Sequence, residues 1–178
     1  LGDVYKRQIE YGSGSLEKIR ILLDKLIDPV SLCAIDISEE QLQKGAYIIR
    51  EAYPKLEVLT VATDFTSSLK IPKSKRQTKS KIAFFPGSTI GNFEPISAKT
   101  FLQSICKTVG INGKLLIGVD LKKDYERLLR AYDDNKGITD AFNKNLLSRI
   151  NQELGADFNQ SLFRHIVRFN TFEGRAVS

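Results

Sequence analysis

An α/β fold, with a mostly parallel sheet flanked by helices, is predicted by three observations. From Ile9 onward, short apolar runs of strand length alternate with segments of helical period. A glycine pair, Gly12 and Gly14, falls directly after the first such run and directly before the first helix. Two acids, Asp36 and Asp64, stand at the ends of the next two runs, at the edge where open sheets of this class bind ligands.

The elements follow in order. Ile9–Tyr11 reads as the end of the first strand. Leu16, Ile19, Leu22, Leu23 and Leu26 share one face of the next helix, which Asp28–Pro29 ends. Leu32–Ile37 reads as a buried strand, and Ser38 with Gln41 as a capping box. The helix so started buries Leu42, Ala46, Ile49 and Tyr53 and stops before Pro54. Glu57–Ala62 alternates as a third strand, Lys81–Phe85 is a fourth and Leu115–Val119 a fifth. Between the last two lies a helix carrying Ala98, Leu102, Ile105 and Val109. Residues 9–121 therefore form a Rossmann-like core.

Residues 122–178 differ in character. Asp124–Tyr132 and Thr139–Leu154 read as helices, the second with Phe142, Leu146, Ile150 and Leu154 on one stripe. Ser161–Phe169 alternates apolar and basic residues and fits a further strand. This segment is expected to be part of a substrate-binding lobe.

The 178 residues, 42% hydrophobic and 27% charged, suffice for one globular domain with a real core and not for two of ordinary size. No apolar run approaches the ~20 residues of a membrane helix, and the start lacks a signal-peptide pattern. Cys33 and Cys106 sit in apolar stretches and are expected to be reduced, buried thiols of a cytoplasmic protein rather than a disulfide or metal pair. The chain holds no methionine, and Leu1–Gln8 is polar where a buried strand should begin. Residues 1–8 are therefore read as a non-native scar outside the fold, and the whole as a fragment.

The net charge of +6 equals the six cations Lys70, Lys73, Lys75, Arg76, Lys79 and Lys81, which stand in one stretch without an acid, marked as a loop by Pro72 and small hydroxyl residues and running up to the fourth strand. With no aromatic interleaving and no second basic patch, a solvated loop is expected rather than a nucleic-acid footprint.

Five constellations could carry chemistry. Gly12-Ser13-Gly14 lets a ligand approach the backbone at a helix N-terminus. Glu17 occupies the place of the third glycine of a dinucleotide fingerprint, which disfavours a pyrophosphate cofactor and tolerates a nucleoside one. Asp36 can accept from both hydroxyls of a ribose, or serve as a turn acid beside Ser38. Asp64-Phe65-Thr66 suits an adenine, the carboxylate facing its amine and the ring packing on an apolar wall, or is an ordinary turn. The run Phe85–Phe93 is rich in small residues around one amide, Asn92, and could equally be a glycine turn. Ala131–Thr139, taken bare, is a helix end with a glycine stop and a Thr cap.

Gly12–Lys18, Asp36-Ile37-Ser38, Asp64-Phe65-Thr66, Gly87–Asn92, Ala131–Asp134, Ala141-Phe142-Asn143 and Asn151–Phe158 together resemble the histidine N-alpha-methyltransferase family, in order, over nearly all of Ile9 to Asn170. The resemblance implies a class I methyltransferase fold. It also implies S-adenosylmethionine as cofactor, and three successive methyl transfers to the alpha-amino group of L-histidine, giving hercynine, the opening of ergothioneine biosynthesis. It places Gly12, Ser13, Gly14, Lys18, Asp36, Asp64 and Phe65 on the cofactor, and Asn92 and Tyr132 on the substrate carboxylate. The chain is expected to be a monomer acting on a small molecule, with no metal, membrane or nucleic acid.

Two features depart from the family pattern. Leu16 replaces a small hydroxyl residue, and after Phe163-x-His165 no glutamate follows Arg175 to read an imidazole. His165 is read as a structural strand residue. The open alternatives are another amino acid or a tryptophan derivative as substrate, a nicotinamide-dependent oxidoreductase disfavoured by Glu17, and a nucleic-acid-binding module using the basic loop.

Overall fold

A computed structural model describes residues 5–67, 69–121, 124–170 and 175–177. The chain divides into two compact units, Leu1–Asp120 and Leu121–Ser178. The first holds β1 (Lys6–Tyr11), α1 (Glu17–Leu23), β2 (Ser31–Asp36), α2 (Glu39–Ala52), β3 (Glu57–Ala62), β4 (Ser80–Phe85), α3 (Pro95–Val109) and β5 (Lys114–Ile117). All five strands are parallel, in the order β3-β2-β1-β4-β5. The order reverses at β1, so the crevice between the outgoing loops of β1 and β4 is the switch point of the sheet.

Two apolar layers hold the sheet. Leu16, Ile19 and Leu23 of the first helical segment and Leu42, Ala46 and Ile49 of α2 pack with Leu32, Ala34 and Phe84 on one face. Ile9, Cys33, Ile35, Ala83 and Phe85 pack with Phe101 and Ile105 of α3 on the other. Strand residues of opposite parity serve opposite faces, as a sheet covered on both sides requires.

Several expectations are corrected. The strand β1 begins at Lys6, so Lys6–Gln8 belong to the fold and not to the scar expected over residues 1–8, while residues 1–4 lie outside the described residues. Backbone pairing on both edges, Arg7 with Ser31 and Lys81 and Gln8 with Leu32 and Ile82, draws these polar residues inside whatever their side chains prefer. The strand β2 stops at Asp36, leaving Ile37 exposed. Ser38 precedes α2 without a side-chain cap; its own N–H donates to the Asp36 carboxylate instead, 3.0 Å. Both cysteines are free, but Cys106 is exposed.

The second unit holds α4 (Tyr125–Tyr132), α5 (Ile138–Leu154) and the antiparallel pair β6 (Arg168–Asn170) and β7 (Arg175–Val177). Of the strand expected over Ser161–Phe169, only the last two residues pair; a 3-10 turn, Gln160–Leu162, occupies its start. His165 accordingly lies in irregular chain. Phe142, Leu146 and Leu154 of the α5 stripe are exposed. Thr139 lies inside α5, and the cap is Asp134, whose carboxylate accepts from the N–H groups of Ile138 and Thr139, 2.9 and 2.8 Å. Those bonds favour the charged form and hold its pKa down at about 2.

Candidate functional site

The loop after β1 is fixed from below. The N–H groups of Gly12 and Ser13 both donate to the Ile35 carbonyl, 2.9 and 3.1 Å, and so does the Ser13 hydroxyl, 2.9 Å. Ser13 is therefore buried with its side chain committed to the protein. Gly12 and Gly14 take positive φ, 66° and 48°, which favours glycine at both. A side chain at Gly12 would touch the Phe65 ring at 3.4 Å, whereas one at Gly14 would meet open space. From behind, α2 presses close: a Cβ at Gly45 would stand 3.0 Å from the Ser15 carbonyl oxygen. Leu16, the family departure, starts α1 with φ 60° and no side-chain cap, its side chain in the core.

Asp36, at the carboxyl end of β2, accepts from the Gly14 N–H through one oxygen, 2.8 Å, and from Ser38 through the other. Its turn role is thus realised, and each oxygen keeps a second lone pair. Asp64, beyond β3, accepts from the N–H and hydroxyl of Thr66, 2.8 and 2.7 Å, which lowers its pKa. Phe65 joins an aromatic cluster at the same end of the sheet, with centroids 6.3 Å from Tyr11, 5.8 Å from Phe85 and 5.5 Å from Phe101. Asn92 ends the 3-10 turn Thr89–Asn92 after β4, and is exposed. It lines a cleft of about 490 Å³ with Thr66, Glu94, Ser97, Thr100 and Phe101. Tyr132, the last residue of α4, belongs to the second unit and is 41% exposed.

Sequence reasoning missed Glu10. It is 1% exposed at the end of β1, and its Oε2 has no hydrogen-bond partner. Burial raises its pKa to about 8, with Lys18 pulling it down and Asp36 pushing it up. The available signal was an acid in the apolar run Ile9–Tyr11, two residues before Gly12. Lys18, from the first turn of α1, reaches the β4 loop: a Cβ at Gly87 would lie 2.9 Å from its Nζ. One cation and two acids from three elements thus meet around the glycine turn. The turn's open face, the orphaned Glu10 oxygen and the aromatic wall fit a nucleoside cofactor bearing an amino-acid tail, which offers hydroxyls, an ammonium and a flat ring.

A five-stranded parallel sheet with a glycine turn at its switch point and acids closing the next two strands is the framework of a class I S-adenosylmethionine-dependent methyltransferase. LaPhzM shares this fold at a TM-score of 0.52, with 16% identity over 73% of this chain and 36% of that one. The chain belongs to the histidine-specific, SAM-dependent methyltransferase family, whose profile matches residues 4–178. It is 40% identical over 171 residues to a histidine N-alpha-methyltransferase of Mycolicibacterium smegmatis, covering 94% of this chain and 52% of that protein. Ergothioneine biosynthesis protein 1 of Schizosaccharomyces pombe is 33% identical over 90% of this chain and 21% of its own length. The chain therefore spans about half the length of its bacterial relative. Among the described residues no helix is long and apolar enough to cross a membrane, and no cluster of His, Cys, Asp and Glu could hold a metal ion.

Proposed function

We propose that this chain carries the cofactor-binding portion of an enzyme that transfers methyl groups from S-adenosylmethionine to the alpha-amino group of L-histidine, giving hercynine. The observation that carries the reading is the meeting of Gly12–Gly14, Glu10, Lys18 and Asp36 at the switch point, in a member of the histidine-specific family.

Bound there, the cofactor supplies a methyl group on a sulfonium, which a neutral amine can displace in line. Gly12 and Gly14 give the room for backbone approach, and Asp36 keeps lone pairs for ribose hydroxyls. Lys18 offers a cation for the carboxylate of the amino-acid tail, and Glu10, once ionised, an acceptor for its ammonium. Phe65 and its neighbours supply an apolar wall for adenine, while Asp64 can accept from the exocyclic amine. Asn92 donates to the substrate carboxylate, and on the family resemblance Tyr132 does the same. Both are neutral donors that do not compete for the methyl group. The chain's contribution to rate is then mainly positioning. A small-molecule substrate, a monomeric state and a cytoplasmic location complete the reading.

The test is calorimetric titration of S-adenosylhomocysteine into wild type and Asp36→Ala, then of L-histidine into the saturated complex. Binding by wild type that falls at least about tenfold in the variant supports the cofactor site, since two charge-assisted contacts would be lost. Equal affinity in the two proteins refutes the role of Asp36. Heat from L-histidine but not from L-tryptophan supports the substrate, and the reverse preference replaces it.

A further inference from the structure

His165 is the chain's single histidine and is half-buried in irregular chain between α5 and β6. Its Nε2 lies 2.8 Å from the backbone carbonyl oxygen of Tyr132, and its Nδ1 lies 3.2 Å from the side-chain amide nitrogen of Asn143. A carbonyl oxygen can only accept, so Nε2 carries the proton. Nδ1 is then free to accept from the Asn143 amide, and both bonds are satisfied at once by a neutral ring in one tautomer.

The two partners are not arbitrary. Tyr132 closes α4, and the carbonyls of a helix's last turn have no amide partner within the helix. Asn143 stands in the second turn of α5, whose start is held by Asp134, two residues beyond Tyr132. The imidazole therefore ties the end of one helix to the flank of the next, with Tyr132 at the joint. Asp134 fixes the start of α5 but leaves the Tyr132 carbonyl untouched, so its attachment in the described residues comes from the ring.

We propose that His165 is a positioning residue that sets where Tyr132 presents its phenol, through the Tyr132 carbonyl on one side and Asn143 on the other. The consequence for the substrate rests on the reading of Tyr132 as a carboxylate ligand given above. The substitutions separate the two contacts by chemistry. His165→Gln keeps an N–H that can reach the carbonyl, His165→Asn keeps an acceptor for Asn143, and His165→Ala keeps neither.

The experiment is magnetic resonance on the full chain. A long-range proton–nitrogen spectrum gives the tautomer of the one histidine ring directly; a proton on Nε2 and a shift of Nδ1 in Asn143→Ala are expected. A proton on Nδ1 overturns the proposal. With fluorotyrosine incorporated, the Tyr132 signal is the one lost in Tyr132→Phe. It is expected to move in His165→Ala and to return near its wild-type position in His165→Gln. An unmoved signal in His165→Ala overturns the proposal, whatever the substrate does.

L-histidine titrated into the S-adenosylhomocysteine complex should then bind about tenfold more weakly in His165→Ala and within about threefold of wild type in His165→Gln. Affinity for S-adenosylhomocysteine is expected to be unchanged in both, which a general loss of structure would not allow. Should wild type show no response of Tyr132 to L-histidine while the variants shift its signal as expected, the reading of Tyr132 as a ligand fails and the placement by His165 stands.

Discussion

Replacing Glu10 by glutamine should change the pH dependence of stability in a defined window. The carboxyl is 1% exposed, one of its oxygens has no partner, and its pKa in the folded chain is about 8 against an ordinary 4.5. Between those values the folded chain holds a proton that the unfolded chain releases. The contribution of this group is therefore most favourable below about pH 4.5, is lost as pH rises through the window, and levels off above about 8. Each pH unit in the window costs ~1.4 kcal/mol. Relative to pH 4.5, the penalty is about 3 kcal/mol at pH 7. Glutamine fills the same space and has no proton to hold. Urea unfolding of wild type and Glu10→Gln at pH 4.5, 6, 7 and 8 isolates the effect, because every other titrating group is common to both. The variant should gain on wild type by roughly that amount from the first pH to the third. Parallel stability curves across the four conditions would refute the reasoning and show that water reaches the carboxylate.

Three further outcomes are expected. Gln8→Leu should stabilise the chain by ~1–3 kcal/mol, seen as a higher urea midpoint at unchanged slope, because Gln8 is fully buried with neither amide atom partnered. Gly45→Ala, ordinarily a gain of ~1 kcal/mol in a helix interior, should instead lose stability and weaken S-adenosylhomocysteine binding, since the new methyl group meets the Ser15 carbonyl at 3.0 Å; a more stable, tighter-binding variant would contradict this. The Asp134 cap, with its pKa held at about 2, should contribute fully above the ordinary carboxylate value near 3.8 and be lost as pH falls through 2. The amide signals of Ile138 and Thr139 would report that loss, and Asp134→Ala should abolish the transition.

Much of the frame was legible because it depends on backbone pattern. Glu57–Ala62 alternates with period two and is a strand over those six residues. Asp36 ends β2 and Asp64 follows β3 by two residues, where acids are expected because one is tolerated where the sheet meets solvent. Side-chain context was harder to read. Lys6–Gln8 looked unfit for a core strand, yet β1 sits between two partners and carries them inside. A single charge in a short apolar run does not alter its period, so the sequence around Glu10 gives little sign of its burial. The stripe Ala98, Leu102, Ile105 and Val109 leaves out Phe101, on which four aromatic neighbours from separate elements converge. Asp134 and Thr139 both suit a helix start, and only the geometry selects the carboxylate.

The order of the sheet also bears on how the chain is made. The strand β1 is central, yet its second edge pairs with Ser80–Phe85 and not with the strand that follows it. During synthesis, some seventy residues must emerge after Tyr11 before that edge can close. Until then, unpaired amides of the future central strand are available to any passing chain, a recognised route to aggregation. The glycine turn closes on β2 through Ile35 and Asp36, but the aromatic wall at Phe85 and the loop that Lys18 reaches at Gly87 come only with β4, so the proposed ligand pocket is completed by closure. Retention by an immobilised nucleoside would therefore favour closed molecules over those arrested at the ribosome's exit.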